Sequence, residues 1–97
     1  MYKVKIDSKA EKQLARIDPR YQKAIKFSID SLEENPLAGK KLDPPLVHLR
    51  SLRVGIYRIL YEMFKKELII LVVSIAHRKE VYRRRQFPFK MQEDAFG

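Results

Sequence analysis

Three arginines and a histidine stand at positions where phosphate chemistry could be carried out. Residues 53–61 read RVGIYRILY and residues 76–82 read AHRKEVY, which sets Arg53, Arg58, His77, Arg78 and Tyr82 on two expected strands and the segment that follows them. An arginine fork is planar, stays protonated near neutral pH and suits bidentate contact with a phosphate. His77, with an unperturbed pKa of about 6.5 for its residue type, is the best acid or base of the set. The chain has no Gly-rich phosphate loop, no His-Glu-x-x-His, no acidic pair on one expected face and no Ser/His/Asp order. Neither a metal nor a cofactor is therefore expected. What remains is metal-independent chemistry on a phosphodiester, for which RNA brings its own nucleophile in the 2′-hydroxyl. That reaction needs a base for the hydroxyl, cationic donors for the charge developing at phosphorus, and an acid for the departing 5′-oxygen.

The charge distribution agrees. The 97 residues carry a formal net charge of +9, and it is uneven. Residues 1–49 hold ten Lys and Arg against seven acids, whereas residues 50–97 hold eleven against five; arginine makes up two of the ten but seven of the eleven. The second half thus looks like a binding face for a polyphosphate, with Arg50, Arg53, Lys79 and the run Arg83, Arg84, Arg85 as candidate phosphate contacts. Contacts of that kind weaken steeply with salt. The plain alternative is that a basic chain is merely soluble.

With 45% hydrophobic and 34% charged residues the chain is expected to be globular, and at this length it fits a single domain spanning residues 1–97. The absence of cysteine excludes a disulfide scaffold or thiolate metal site. Residues 68–73, the longest apolar run, fall far short of the roughly 20 needed to cross a bilayer. A cytoplasmic protein with no membrane contact is expected.

The elements that must position the candidates follow from periodicity. Residues 2–6 alternate as a short strand. Ser8 and Glu11 have capping-box spacing and start a helix with Ala10, Leu14 and Ile17 on one face. Asp18-Pro19 caps a second helix, whose expected buried stripe is Tyr21, Ala24, Ile25, Ser28, Ile29 and Leu32, with Asn35-Pro36 ending it. Residues 37–48 read as a loop, and residues 49–54, 56–64 and 68–76 as an antiparallel meander turning near Gly55 and Lys65-Lys66. The expected fold is α+β, with a helical hairpin packed on one face of a mainly antiparallel four-stranded sheet.

Side chains alternate along strands, so parity decides what shares a face. Leu52 and Val54 are expected to face the helices, with Leu49, Ser51 and Arg53 opposite. Tyr57, Ile59 and Tyr61 form an apolar set that leaves Arg58 on the other side, and Arg78 shares parity with Ser74 and Ala76. In a coinciding register Arg53, Arg58 and Arg78 converge on the helix-free face, whereas Arg50 has the wrong parity.

With these two strings, in this order and on this pattern of elements, the chain resembles the RelE/ParE superfamily of toxins. The resemblance rests on R-x-G-x-Y-R-x-x-Y at Arg53, Gly55, Tyr57, Arg58 and Tyr61, and on H-R-x-x-V-Y at His77, Arg78, Val81 and Tyr82. For RelE-like members it implies cleavage of messenger RNA in the ribosomal A site and neutralisation by a cognate RelB-like antitoxin. A toxin–antitoxin heterotetramer holding operator DNA through the antitoxin is implied too. For ParE-like members it implies inhibition of DNA gyrase without nuclease activity; a catalytically silent antitoxin-binding member is a third possibility. Arg58 matches the arginine that stabilises charge at the scissile phosphate, and Arg78 a phosphate ligand proposed as leaving-group acid. Tyr82 matches a tyrosine that stacks on a base or helps activate the 2′-hydroxyl, and His77 stands where several RNA-cleaving relatives use a histidine. A lysine pair of RelE is replaced here by Leu49 and Ser51.

Each residue also has a structural reading. Arg58 can bridge to Glu62 or Glu80, His77 can simply end its strand, and Tyr57, Tyr61 and Val81 are most simply core.

Overall fold

Apolar alternation and helical stripes fold as the sequence implies, with one extra strand. The computed structural model describes residues 1–78. Its elements are β1 (Lys3–Ile6), α1 (Ser8–Ala15), α2 (Pro19–Ser31), β2 (Lys40–Lys41), β3 (Leu49–Val54), β4 (Tyr57–Phe64) and β5 (Ile69–His77). They form a five-stranded sheet in the order β1-β5-β4-β3-β2. β1 runs parallel to β5 and the other pairs are antiparallel. The expectation of four strands is corrected to five, because Lys40 and Lys41 pair with β3 from within the segment that reads as a loop.

α1 begins at Ser8 with Asp7 as its N-cap, one residue before the position expected from the Ser8/Glu11 spacing; the Asp7 carbonyl accepts the Glu11 amide at 2.9 Å. Asp18 caps α2 as its sequence predicts, its carboxylate accepting from the Arg20 amide at 2.9 Å and from the Arg20 guanidinium, with Pro19 in the first turn. Both hydrogen bonds hold the Asp18 carboxyl below its ordinary range. Between the helices, the Gln22 amide donates to the carbonyls of Leu14 and Ile17, both at 2.9 Å, tying the first turn of α2 to the last turn of α1 and the residues that follow it.

The core joins Ala10, Leu14 and Ile17 of the first helical region and Ile25, Ile29 and Leu32 of the second to Ile59, Tyr61, Ile70, Val72 and Ile75 of the sheet. The expected α2 stripe is narrower than its pattern: Tyr21 and Ala24 are exposed at its margin, and Tyr21 instead leans on Tyr57 with ring centroids 5.6 Å apart.

Register shifts between Leu60 and Tyr61, which pair with Ser74 and Val72 and leave Val73 as the extra residue of a bulge. Ile70 and Val72 face the core before the bulge and Ile75 after it, although strict alternation would separate them. Gln13 of α1 reaches this stretch, its side-chain oxygen accepting from the Ile75 amide at 2.7 Å. The β3–β4 turn consists of Gly55 and Ile56, and Gly55 takes φ +60, as the first position of a tight two-residue hairpin turn requires.

Candidate functional site

The sheet has two faces, and its register assigns every described candidate to one of them. On β3 and β4, Arg50 pairs with Tyr61, Leu52 with Ile59 and Val54 with Tyr57, which turns these residues toward the helices. Arg53 pairs with Arg58 and Ser51 with Leu60, which turns those toward the opposite face. The expected convergence of Arg53 and Arg58 is therefore present, as a directly opposed pair of like charges. Like charges in that position are unfavourable in isolation.

Each guanidinium of the pair is drawn away from the other. Arg58 donates to the Ser51 hydroxyl at 3.3 Å, diagonally across to β3, and Ser51 is buried. Arg53 is exposed, and its Nε donates to the Gly55 carbonyl at 3.3 Å, back along its own hairpin. Arg58 also pairs with Ala76, and Arg78 is the first residue beyond β5, where the chain turns helical. The Arg78 amide donates to the Ile56 carbonyl at 2.8 Å, so the hairpin turn fixes its backbone. Arg53 and Arg58 thus share one face at the Gly55 end of the sheet, and the Arg78 backbone is anchored beside that end.

His77 does not share it. It pairs with Tyr57, and its ring meets the Tyr57 ring edge-on with centroids 5.9 Å apart, on the side where Tyr57 contacts Tyr21 of α2. Nor does Arg50, as its parity implies; its guanidinium donates to the Gly39 carbonyl and supports the approach to β2. Tyr61 is fully buried, as the core reading of that residue expects. Its hydroxyl donates to the Pro36 carbonyl at 2.7 Å and accepts from the Gly39 amide at 2.9 Å, and burial pushes its pKa above the ordinary value. Lys79, Tyr82, Arg83, Arg84 and Arg85 lie outside the described residues, as do Glu80 and Val81.

Three lysines that the motifs did not mark stand on the arginine face. Lys3 and Lys5 pair with Ile69 and Leu71 while Val4 and Ile6 turn to the core, and Lys40 pairs with Ser51. The alternation of β1 held the signal for the first two. Nothing in the Gly- and Pro-containing segment before β3 held it for the third. Among the described residues no group of His, Cys, Asp and Glu is arranged to hold a metal ion, and no helix is long and apolar enough to cross a membrane.

A helical hairpin on one side of a mixed sheet is a fold shared with solved toxins. The isolated RelE toxin of Escherichia coli superposes with a TM-score of 0.68 at 21% identity, over 88% of this chain and 95% of that one. The toxin–antitoxin complex RelBE2 of Mycobacterium tuberculosis matches with a TM-score of 0.75 at 29% identity, over 79% of this chain and 98% of the matched chain. The archaeal RelE–RelB complex of Pyrococcus horikoshii gives 0.66 at 24% identity, covering 79% and 94%.

Sequence comparison narrows the class to a family. Toxin RelG of Mycobacterium tuberculosis is 32% identical over 85 residues, which cover 86% of this chain and 98% of that protein. The family model for the ParE toxin of type II toxin–antitoxin systems, parDE, matches residues 4–82, so the chain belongs to the RelE/ParE superfamily of toxins.

Proposed function

We propose that this toxin cuts messenger RNA in the ribosomal A site, through attack of the 2′-hydroxyl on the adjacent phosphorus. The 2′-oxygen forms the new bond, the 5′-oxygen leaves with a proton, and a cyclic phosphate remains on the upstream fragment. The observation that carries this reading is the opposition of Arg53 and Arg58 on the helix-free face, with Arg58 turned onto Ser51. Two fixed cations side by side are costly without an anion and favourable with one, and charge grows on the phosphoryl oxygens as the 2′-oxygen attacks. Donors set in place beforehand stabilise that transition state most; removing one typically costs about 10²- to 10³-fold in rate. Arg58 is assigned to the scissile phosphate, with Arg53 and Arg78 flanking it. His77 is assigned to hold Tyr57 rather than to move a proton, because strand parity turns it from the arginines. Tyr82, Lys79 and Arg83 to Arg85 stay as proposed RNA contacts on their sequence alone.

The resting form is proposed to be held by a RelB-like antitoxin whose acidic segment covers the basic face, in a heterotetramer that binds operator DNA through the antitoxin. Support comes from the relatives solved as toxin–antitoxin complexes. A second reading, inhibition of DNA gyrase, is favoured by the match to the ParE toxin model.

The test is primer extension on messenger RNA carried by programmed ribosomes, beside a gyrase supercoiling assay on the same preparation. New breaks at A-site codons with supercoiling intact are expected. Intact message with blocked supercoiling would transfer the basic face to gyrase binding.

A further inference from the structure

Lys40 reaches the arginine face from β2, a strand of two residues. Its neighbour Lys41 pairs with Arg50, which faces the helices, whereas Lys40 pairs with Ser51, which faces away from them. Both lysines are exposed and adjacent, so the register alone distinguishes them.

The backbone immediately before Lys40 is held with unusual care for a surface segment. Gly39 donates its amide to the buried Tyr61 hydroxyl and receives the Arg50 guanidinium on its carbonyl, while the same Tyr61 hydroxyl donates to Pro36. A Cβ at position 39 would lie 2.8 Å from the Tyr61 ring and 3.1 Å from the Ser51 carbonyl carbon, so only glycine lets the chain approach this closely. Two polar side chains of the covered face thus fix the position of one lysine on the other face. Ser51, to which Lys40 is paired, is also the group that accepts from Arg58. Lys40 and Ser51 lie directly opposite one another, Leu60 continues that row on β4, and Arg58, two residues along β4, reaches Ser51 diagonally; β2 lies two strand spacings, roughly 10 Å, from β4. That separation is of the order of one or two phosphodiester repeats, so one RNA strand can meet both cations.

The other edge of the sheet carries Lys3 and Lys5, but the way to them passes Glu62, which pairs with Leu49 and Leu71 and shares their face. A carboxylate there repels a phosphate chain. The β2 edge has no such obstacle among the described strand residues.

We propose that Lys40 is a further phosphate contact of the RNA site and sets the direction in which the RNA leaves Arg58, across β3 toward the β2 edge. The inference rests on the RNA-cleaving reading and extends it by naming the path of the strand. Its test uses the full chain and a labelled single-stranded RNA oligonucleotide with 2′-O-methyl riboses, which removes the nucleophile so that binding is read without cleavage. The dissociation constant is measured over a range of salt for the wild type and for Lys40→Ala, Lys40→Arg, Lys41→Ala and Arg58→Ala, with thermal unfolding of each. Each lost contact to a single strand lowers the slope of log K against log salt by about 0.7. Lys40→Ala is expected to lose that amount and to bind severalfold more weakly at low salt. Lys40→Arg and Lys41→Ala are expected to keep the wild-type slope, with all four variants melting as the wild type does. Equal slopes for Lys40→Ala and Lys41→Ala, with Arg58→Ala still weakened, would overturn the role of Lys40 and leave the RNA reading standing. Wild-type binding by Arg58→Ala would remove the RNA reading itself, and Lys40 with it.

Discussion

The two faces of one sheet use polar side chains in opposite ways. On the covered face they are consumed internally: Tyr61 holds Pro36 and Gly39, Arg50 holds Gly39, and Gln13 from α1 caps the Ile75 amide at the bulge. Around them Ile59, Ile70, Val72 and Ile75 close the core against the helices. On the opposite face the register gathers Lys3, Lys5, Lys40, Arg53 and Arg58, with Arg53 directly facing Arg58. An arrangement chosen for stability alone would alternate signs across the strands. The difference is the one the proposed function calls for: polar groups engaged within the fold on the covered face, and on the other an excess of cations over Glu62, the single acid among the described strand residues.

The comparison breaks most visibly from the covered side. Ile59→Ala removes a fully buried side chain at the middle of the sheet and is expected to cost about 2–5 kcal/mol, measurable by urea unfolding, with every activity falling as the fold is lost. Tyr61→Phe leaves the Pro36 carbonyl and Gly39 amide without their buried partner, and about 1–3 kcal/mol is the expected loss. The same residue gives a pH dependence. Burial raises the Tyr61 pKa above the ordinary tyrosine value of 10.0, so the stability it lends is complete below that pH and disappears as pH rises through the raised folded value. Thermal unfolding of the wild type should therefore decline more steeply above pH 10 than that of Tyr61→Phe. The smallest effect comes from the other face and has the opposite sign. Arg53→Ala relieves the like-charge opposition and is expected to raise stability by a few tenths of a kcal/mol while lowering RNA cleavage; a fall in both would place Arg53 among the structural residues.

Much of this division was legible in the chain. Asp18-Pro19 announced the start of α2, the bounds of β3, β4 and β5 lie within a residue of those the alternation implies, and parity alone brought Arg53 and Arg58 together. The motif reading, by contrast, placed His77 in the arginine site, whereas its pairing with Tyr57 turns it to the covered side. What stayed hidden has a common cause: pairing between distant segments leaves no local pattern. The bulge at Val73 lay within an apolar run that lacks alternation, and β2 is too short to show a period. Lys40 therefore looked like one solvated lysine among many.

The most direct test compares the two faces at neighbouring positions, through the cleavage rate of messenger RNA on programmed ribosomes by Arg58→Ala and by His77→Ala, each shown to be folded by its melting temperature. Arg58→Ala should lose about 10²- to 10³-fold with its melting temperature kept, and His77→Ala should lose far less. Cleavage at the wild-type rate by Arg58→Ala, or an equal loss in a folded His77→Ala, would contradict the assignment of function to the helix-free face.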